Sequence, residues 1–249
     1  MRVFAKELQS GVEYKKIKLK KERNKPMLSK EQMNKIKGDV CIIALKYLEP
    51  YWELTQSDII NSGLSVIYVD REGVGSMSKA FNTCIPQLIE KYGNDLPKYL
   101  FFVTNIGFNV NTVHRLVESM DKTGFGAIHP SHESDHVSHR NNGTNDVVET
   151  KYIEWTAPIV KTELFLKQKL DENYRYWYFD LVWSYDVKQI GYKIGVDHGT
   201  SVNHTYLLKD DKKHIITKLR SELRWYWNPI EEKILISKYG LNWKKLLWQ

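Results

Sequence analysis

Between Asp39 and Pro130 the chain alternates two kinds of pattern. Short, largely apolar runs have the length of buried strands: VCIIAL (Val40–Leu45), LSVIYVD (Leu64–Asp70, ending on an acid), YLFFVT (Tyr99–Thr104) and FGAIHP (Phe125–Pro130). Between them lie segments with helical periodicity. These are 51–61 behind the Glu49-Pro50 turn, 78–92 with Pro86 as an interruption, and 111–120 with an Asn-Thr start. Apolar strands of this length alternating with helices predict an α/β domain on a mostly parallel sheet, covered on both faces. In such sheets ligands bind beyond the C-terminal strand ends.

Residues 1–38 read as an appended arm, with only a weak alternation at Val12, Tyr14, Ile17 and Leu19. Ten Lys/Arg between Lys15 and Lys37 face Glu22 and Glu31, giving that segment +8 within a 249-residue chain of net charge +7. The remainder is therefore near neutral, and the basicity belongs to the arm. Such a run suits nucleic-acid phosphates or an anionic membrane surface, and it equally suits a solvated tail.

No apolar run reaches the roughly 18 residues of a membrane span, and no charged-then-apolar leader opens the chain. The expectation is a cytoplasmic protein. Cys41 and Cys84 sit in apolar patterns and read as reduced core thiols. His129, His132, His136 and His139 fall in HPSHESDHVSHRNNGTND, read as a long polar active-site flap. Their irregular spacing fits no defined zinc geometry.

The stretch from Asp171 to His204, DENYRYWYFDLVWSYDVKQIGYKIGVDHGTSVNH, carries the most chemistry. Asp180 lies in an aromatic-rich segment, followed by a short amphipathic run, a Gly-Tyr-Lys turn, an extended GYKIGV run and His204. Asp180 is eleven residues before Gly191, and His204 is thirteen after it. This order resembles the second half of a family 2 nucleotide-sugar glycosyltransferase of the GT-A fold. The resemblance covers residues 39–206 as a GT-A domain, with 207–249 as a C-terminal helical extension rich in Trp and Lys.

The resemblance implies roles for named residues. Asp180 takes the place of the general base; Phe179 stands where the family has a first acid. Tyr176, Trp177, Tyr178 and Phe179 would exclude water and raise the Asp180 pKa towards the working range; the plainer alternative is a helix cap. Asp70, ending the second strand, would recognise the nucleotide, since a carboxylate accepts hydrogen bonds from an imide or ribose hydroxyls. Gly73 and Gly75 would let the backbone approach the donor, and Asn82 would line its pocket. Lys79 would neutralise the diphosphate, or be a solvated helix lysine. Trp155, in YIEWTAPIVKTELF, would stack on a sugar or base, or pack in the core, with Glu154 beside it as a further acid.

Asn105, in FFVTNIGF, stands where the family places a metal-binding Asp. An amide oxygen binds a divalent cation (Mn or Mg) less strongly than a carboxylate does. His204 would reach the diphosphate or its metal, with His198 as an alternative. The implied function is an inverting transfer from a nucleotide-diphosphate sugar. The basic arm suggests modified DNA as the partner, the acceptor being a hydroxymethylated base as in a phage-type DNA glycosyltransferase. Two alternatives stay open: a transferase for surface polysaccharide or lipid-linked glycan, and a degenerate nucleic-acid-binding module.

Overall fold

The computed structural model describes residues 28–46, 51–71, 74–104, 106–133, 139–204 and 228–247. Most of the basic arm, Gly73, Asn105, His136, Trp225, Trp227 and Trp248 lie outside them.

Helix α1 (Lys30–Asp39) opens with a capping box in which Ser29 and Gln32 satisfy each other's backbone N–H. It runs directly into strand β1 (Val40–Lys46), buries Ile36 completely, and ties Lys35 to Asp121 at 2.7 Å. The folded unit thus begins by residue 30, earlier than the expected boundary at 38/39. Of the ten basic residues counted in the arm, Lys30, Lys35 and Lys37 lie on this helix, on its exposed side.

Eight strands form one mixed sheet among the described residues. After β1 come β2 (Ser65–Asp70), β3 (Tyr99–Val103), β4 (Ile106–Gly107), β5 (Ala127–His132), β6 (Val147–Glu149), β7 (Ile159–Lys161) and β8 (Ile194–His204). Their order is β2-β1-β3-β7-β5-β8-β4, with β6 also on β8. Strands β1, β2, β3, β5 and β8 run one way, and β4, β6 and β7 run against them. The four expected strands are present, and the sheet is mostly parallel. The antiparallel β7, wedged between β3 and β5, is the departure.

The sheet is covered on both faces, as largely apolar strands require. Along β1, Cys41, Ile43 and Leu45 enter one core while Val40, Ile42 and Ala44 enter the other. The second core is closed by α1, by α2 (Tyr51–Ser62) through Trp52 and Ile59, and by α5 (Val110–Thr123) through Val113, Leu116, Val117 and Met120. The first is closed by α3 (Met77–Asn82), α4 (Cys84–Tyr92), α6 (Thr162–Lys167) and α7 (Phe179–Gln189). Two C-terminal helices, α8 over residues 228–239 and α9 (Trp243–Leu247), add Leu235, Trp243 and Leu247 to it. Full burial of each such side chain contributes roughly 1.5–3 kcal/mol. The described part of the C-terminal extension therefore packs on the domain.

The helical pattern over 78–92 resolves into α3 and α4. The break falls at Thr83, three residues ahead of Pro86. Proline is tolerated in a first helical turn and disrupts the turn before it. Pro86 sits in the first turn of α4, so the interruption appears upstream of it.

Candidate active site

The five co-directional strands end on one rim. There lie Lys46 and Asp70, partners in the β1–β2 register, together with His132 at the end of β5 and the terminal residue of β8, His204. The backbone of His204 pairs with Ile106, the residue after Asn105. The turn joining β3 to β4 is fixed from α2: the buried Thr55 hydroxyl lies 3.0 Å from the carbonyls of both Thr104 and Ile106 and accepts from the Ile106 N–H. Thr55 carries no pattern that sequence reading could have singled out.

Asp180 is half-buried in the first turn of α7, where its Oδ1 accepts from the Leu181 N–H at 2.8 Å. Burial pushes its carboxyl up to about 7, and the charge of Glu154 acts in the same direction. Glu154 is held by His132, whose Nε2 lies 3.0 Å from a Glu154 oxygen. Burial drives the His132 pKa down to about 4, so the imidazole is neutral at physiological pH. An ionised carboxylate only accepts, so Nε2 carries the proton and the contact is a hydrogen bond. Two residues placed in the polar flap, His129 and His132, are instead fully buried on β5, which extends past Pro130 to His132. The His129 ring packs at a tilt against those of His132 and His139, and its Nε2 lies 2.8 Å from the Thr156 hydroxyl.

Two non-glycine residues have left-handed backbone among the described residues, His139 (φ 54°) and Tyr178 (φ 65°). Such conformations cluster at functional sites. Tyr178 immediately precedes α7, which has no side-chain cap of its own. Instead Glu231 of α8, 1% exposed, accepts the N–H groups of Arg175, Tyr176 and Trp177 at 2.7, 2.9 and 2.8 Å. No sequence signal links Glu231 to Asp180.

The segment before Asp180 is stitched to α3 and the end of β2. Met77 N–H donates to Arg175 O at 2.9 Å, Ser78 Oγ donates to Tyr174 O at 2.6 Å, and the Arg71 guanidinium lies 3.8 Å from the Tyr176 ring centroid. Asn82 belongs to this stitching. Its amide donates to Leu170 O and Glu172 Oε1 and accepts from the Leu170 N–H, at 2.9 to 3.2 Å. Those bonds occupy the side chain expected to line a donor pocket, and make it a clamp.

The other expected site residues fall out as follows. Asp70 is exposed at the end of β2 and Lys79 is exposed on α3. Gly75 has φ +70°, and a Cβ there would meet nothing within 4 Å, so the turn's backbone rather than a crowded neighbour explains the glycine. Trp155 is 2% exposed and packs among Phe81, Phe102, Phe165, Phe179 and Trp183. Its ring is packed within the core, the arrangement that the core-packing alternative describes. Asp186, read as a surface or structural acid, accepts from the Tyr239 hydroxyl at 3.4 Å and lies 3.7 Å from the Lys238 ammonium.

Among the described residues no group of three or more His, Cys, Asp or Glu is arranged to hold a metal ion, and no helix is long and apolar enough to cross a membrane. Of the two expected cation ligands, Asn105 lies outside the described residues and His204 is placed by its backbone alone.

No family model matches this sequence, and no curated protein matches it. Among solved structures the chain is similar to GalNAc-T7 with UDP, GalNAc and Mn2+, at 11% identity and TM-score 0.48, over 68% of this chain and 44% of that one. It is also similar to S. aureus TarS 1-349, at 14% identity and TM-score 0.45, over 67% of this chain and 60% of that one. With UDP-GlcNAc bound, the same TarS fragment gives 14% identity and TM-score 0.43, over 70% and 60%. This chain thus spans 44% to 60% of the chains it resembles. Likeness at this level assigns no residue a role and the chain no activity.

Proposed function

We propose that this protein is an inverting glycosyltransferase of GT-A type that takes a nucleotide-diphosphate sugar as donor. The observation that carries the reading is Asp180. It sits in the first turn of α7, where burial and then the charge of Glu154 push its carboxyl up to about 7. A base is most effective when its pKa lies near the working pH. In the proposed step ionised Asp180 takes the proton of an acceptor hydroxyl as the oxygen attacks the anomeric carbon. The bond to the diphosphate breaks on the opposite face, and Asp180 is left protonated. Glu154, fixed by His132, raises the basicity of Asp180 and so strengthens its hold on that proton, which returns to water because the carboxyl's pKa of about 7 lies near the working pH.

Asp70 at the end of β2 is suited to bind the nucleotide, with the exposed Lys79 on α3 as a candidate for the diphosphate. A divalent cation, held by Asn105 and His204, would supply charge neutralisation for the leaving diphosphate. The described residues form no such site, and the step above runs on the chain's own side chains. For the acceptor the reading is a hydroxymethylated base in DNA, supported by the +8 segment between Lys15 and Lys37.

The test is a turnover screen of the full chain with a panel of nucleotide sugars, with and without Mn2+ and EDTA, alone and with unmodified or hydroxymethylated DNA. Transfer to hydroxymethylated DNA alone supports the whole reading. Donor hydrolysis without DNA transfer keeps the transferase and removes the acceptor. Unchanged turnover in Asp180→Asn sinks the mechanism.

A further inference from the structure

Asp180 has a second carboxylate partner that reaches it from the far end of the chain. Glu231 lies on α8, fifty-one positions beyond Asp180, and is 1% exposed. Burying a carboxylate is costly unless both oxygens are bonded. Here Oε1 accepts from the Arg175 and Tyr176 N–H groups and Oε2 from that of Trp177. Three successive N–H groups turned onto one anion form a nest, a curled backbone that otherwise binds phosphates or carboxylates from outside. The chain leaves the nest through the left-handed Tyr178 and enters α7 at Phe179, placing Asp180 in the first turn.

Two of these residues are also gripped from the other side. Arg175 O accepts from the Met77 N–H, and the Tyr176 ring lies under the Arg71 guanidinium, next to Asp70. The loop is therefore held between the end of β2 and Glu231, and its conformation sets where α7 starts.

We propose that Glu231 is a positioning residue for Asp180: through the 175–177 amides it fixes the entry to α7. This rests on the reading of Asp180 as the base. The groups facing Asp180 and this clamp are Glu154 from the segment after β6, Glu231 from α8 and Arg175 from the loop itself. Burial lifts the Glu231 carboxyl to about 7 against the pull of the Trp177 and Arg175 N–H groups, and the charge of Asp180 adds to the rise. The two carboxyls thus oppose one another's ionisation.

The experiment uses the full chain and the variants Glu231→Gln and Glu231→Ala. Glutamine keeps the volume but turns an NH2 towards a backbone N–H, so at least one of the three bonds is lost. Amide exchange of 175–177 is expected to be as slow as the core strands in the wild type, and at least about tenfold faster in Glu231→Gln. The Asp180 midpoint, followed by carboxyl NMR, is expected to fall by about half a unit or more on losing the neighbouring charge. For donor hydrolysis, kcat is expected to fall at least about tenfold with KM within about twofold.

A merely structural clamp would speed exchange and leave the Asp180 midpoint in place; that result overturns the proposal. So does fast exchange of these amides in the wild type, which needs no variant to fold. If the wild type turns over no nucleotide sugar, the transferase reading fails while the exchange and titration arms still decide the clamp. Glu231→Ala removes the charge and the bonds together, and is expected to lower the midpoint as far as Glu231→Gln does.

Discussion

The imidazole of His132 and the carboxylate of Glu154 meet at 3.0 Å where β5 ends, and that contact places a second negative charge against Asp180. His132 is buried and neutral, so it orients Glu154 without cancelling its charge. The arrangement makes Asp180 a weak acid in the folded chain, and several consequences can be measured.

The first concerns pH and rate. Since the base must be ionised, kcat/KM should rise with pH through about 7 and level off above it. Glu154→Gln removes the neighbouring charge and should move that limb to lower pH, with kcat at pH 8 falling severalfold. A pH–rate profile of both proteins checks this.

Stability should show the opposite dependence. The folded-state pKa of Asp180 is raised, so between about 4 and 7 the folded chain binds more protons than the unfolded one. Its contribution is fully present below the unfolded value and is lost as pH rises through 7. Asp180→Asn mimics the neutral form. It should raise Tm at pH 8 by a few degrees and leave it nearly unchanged at pH 4. Thermal melts at the two pH values decide it.

His132 should act at the acid end with the reverse sign. Burial lowers its folded pKa to about 4 from 6.5, so the unfolded chain takes up protons first as pH falls. Stability from this residue is present above about 6.5 and lost on acidification towards 4. Replacing His132 by Asn should flatten the acid side of a denaturation-versus-pH curve.

Trp155 should behave as a core residue. Trp155→Ala is expected to cost about 3–5 kcal/mol in denaturant unfolding. Trp155→Phe should be milder and leave donor KM within about twofold. A large KM change in a well-folded Trp155→Phe would return the residue to the binding surface.

Asp197 makes a further case for structure over catalysis. It is fully buried, accepts from Arg115 Nε at 3.0 Å, from the Ser119 hydroxyl and from the Gly199 N–H. Arg115→Met leaves that charge without its cation and should cost about 1–3 kcal/mol, since Ser119 and Gly199 still donate to it. Equilibrium unfolding of the variant tests it.

Four of the five co-directional strands were readable because each is a short, mostly apolar run of strand length. Strands β4, β6 and β7 span two or three residues and leave no period to read. The environment of Asp180 was legible because its flanking aromatics signal burial. Trp155 was not, since an indole that stacks on a ligand and one that packs in a core look alike in sequence. Asn82 and Glu231 were hidden for another reason. Their partners, Leu170 and Glu172 for one and residues 175–177 for the other, lie more than fifty positions away, and only the fold brings them together.

The Glu231 clamp also imposes an order in time. During synthesis the strands, Asp70 and even Asp180 are made before residue 231 exists. Until α8 emerges, the amides of Arg175, Tyr176 and Trp177 have no carboxylate to close on. A nascent chain carrying every other residue of the candidate site is still without the contact that sets the start of α7.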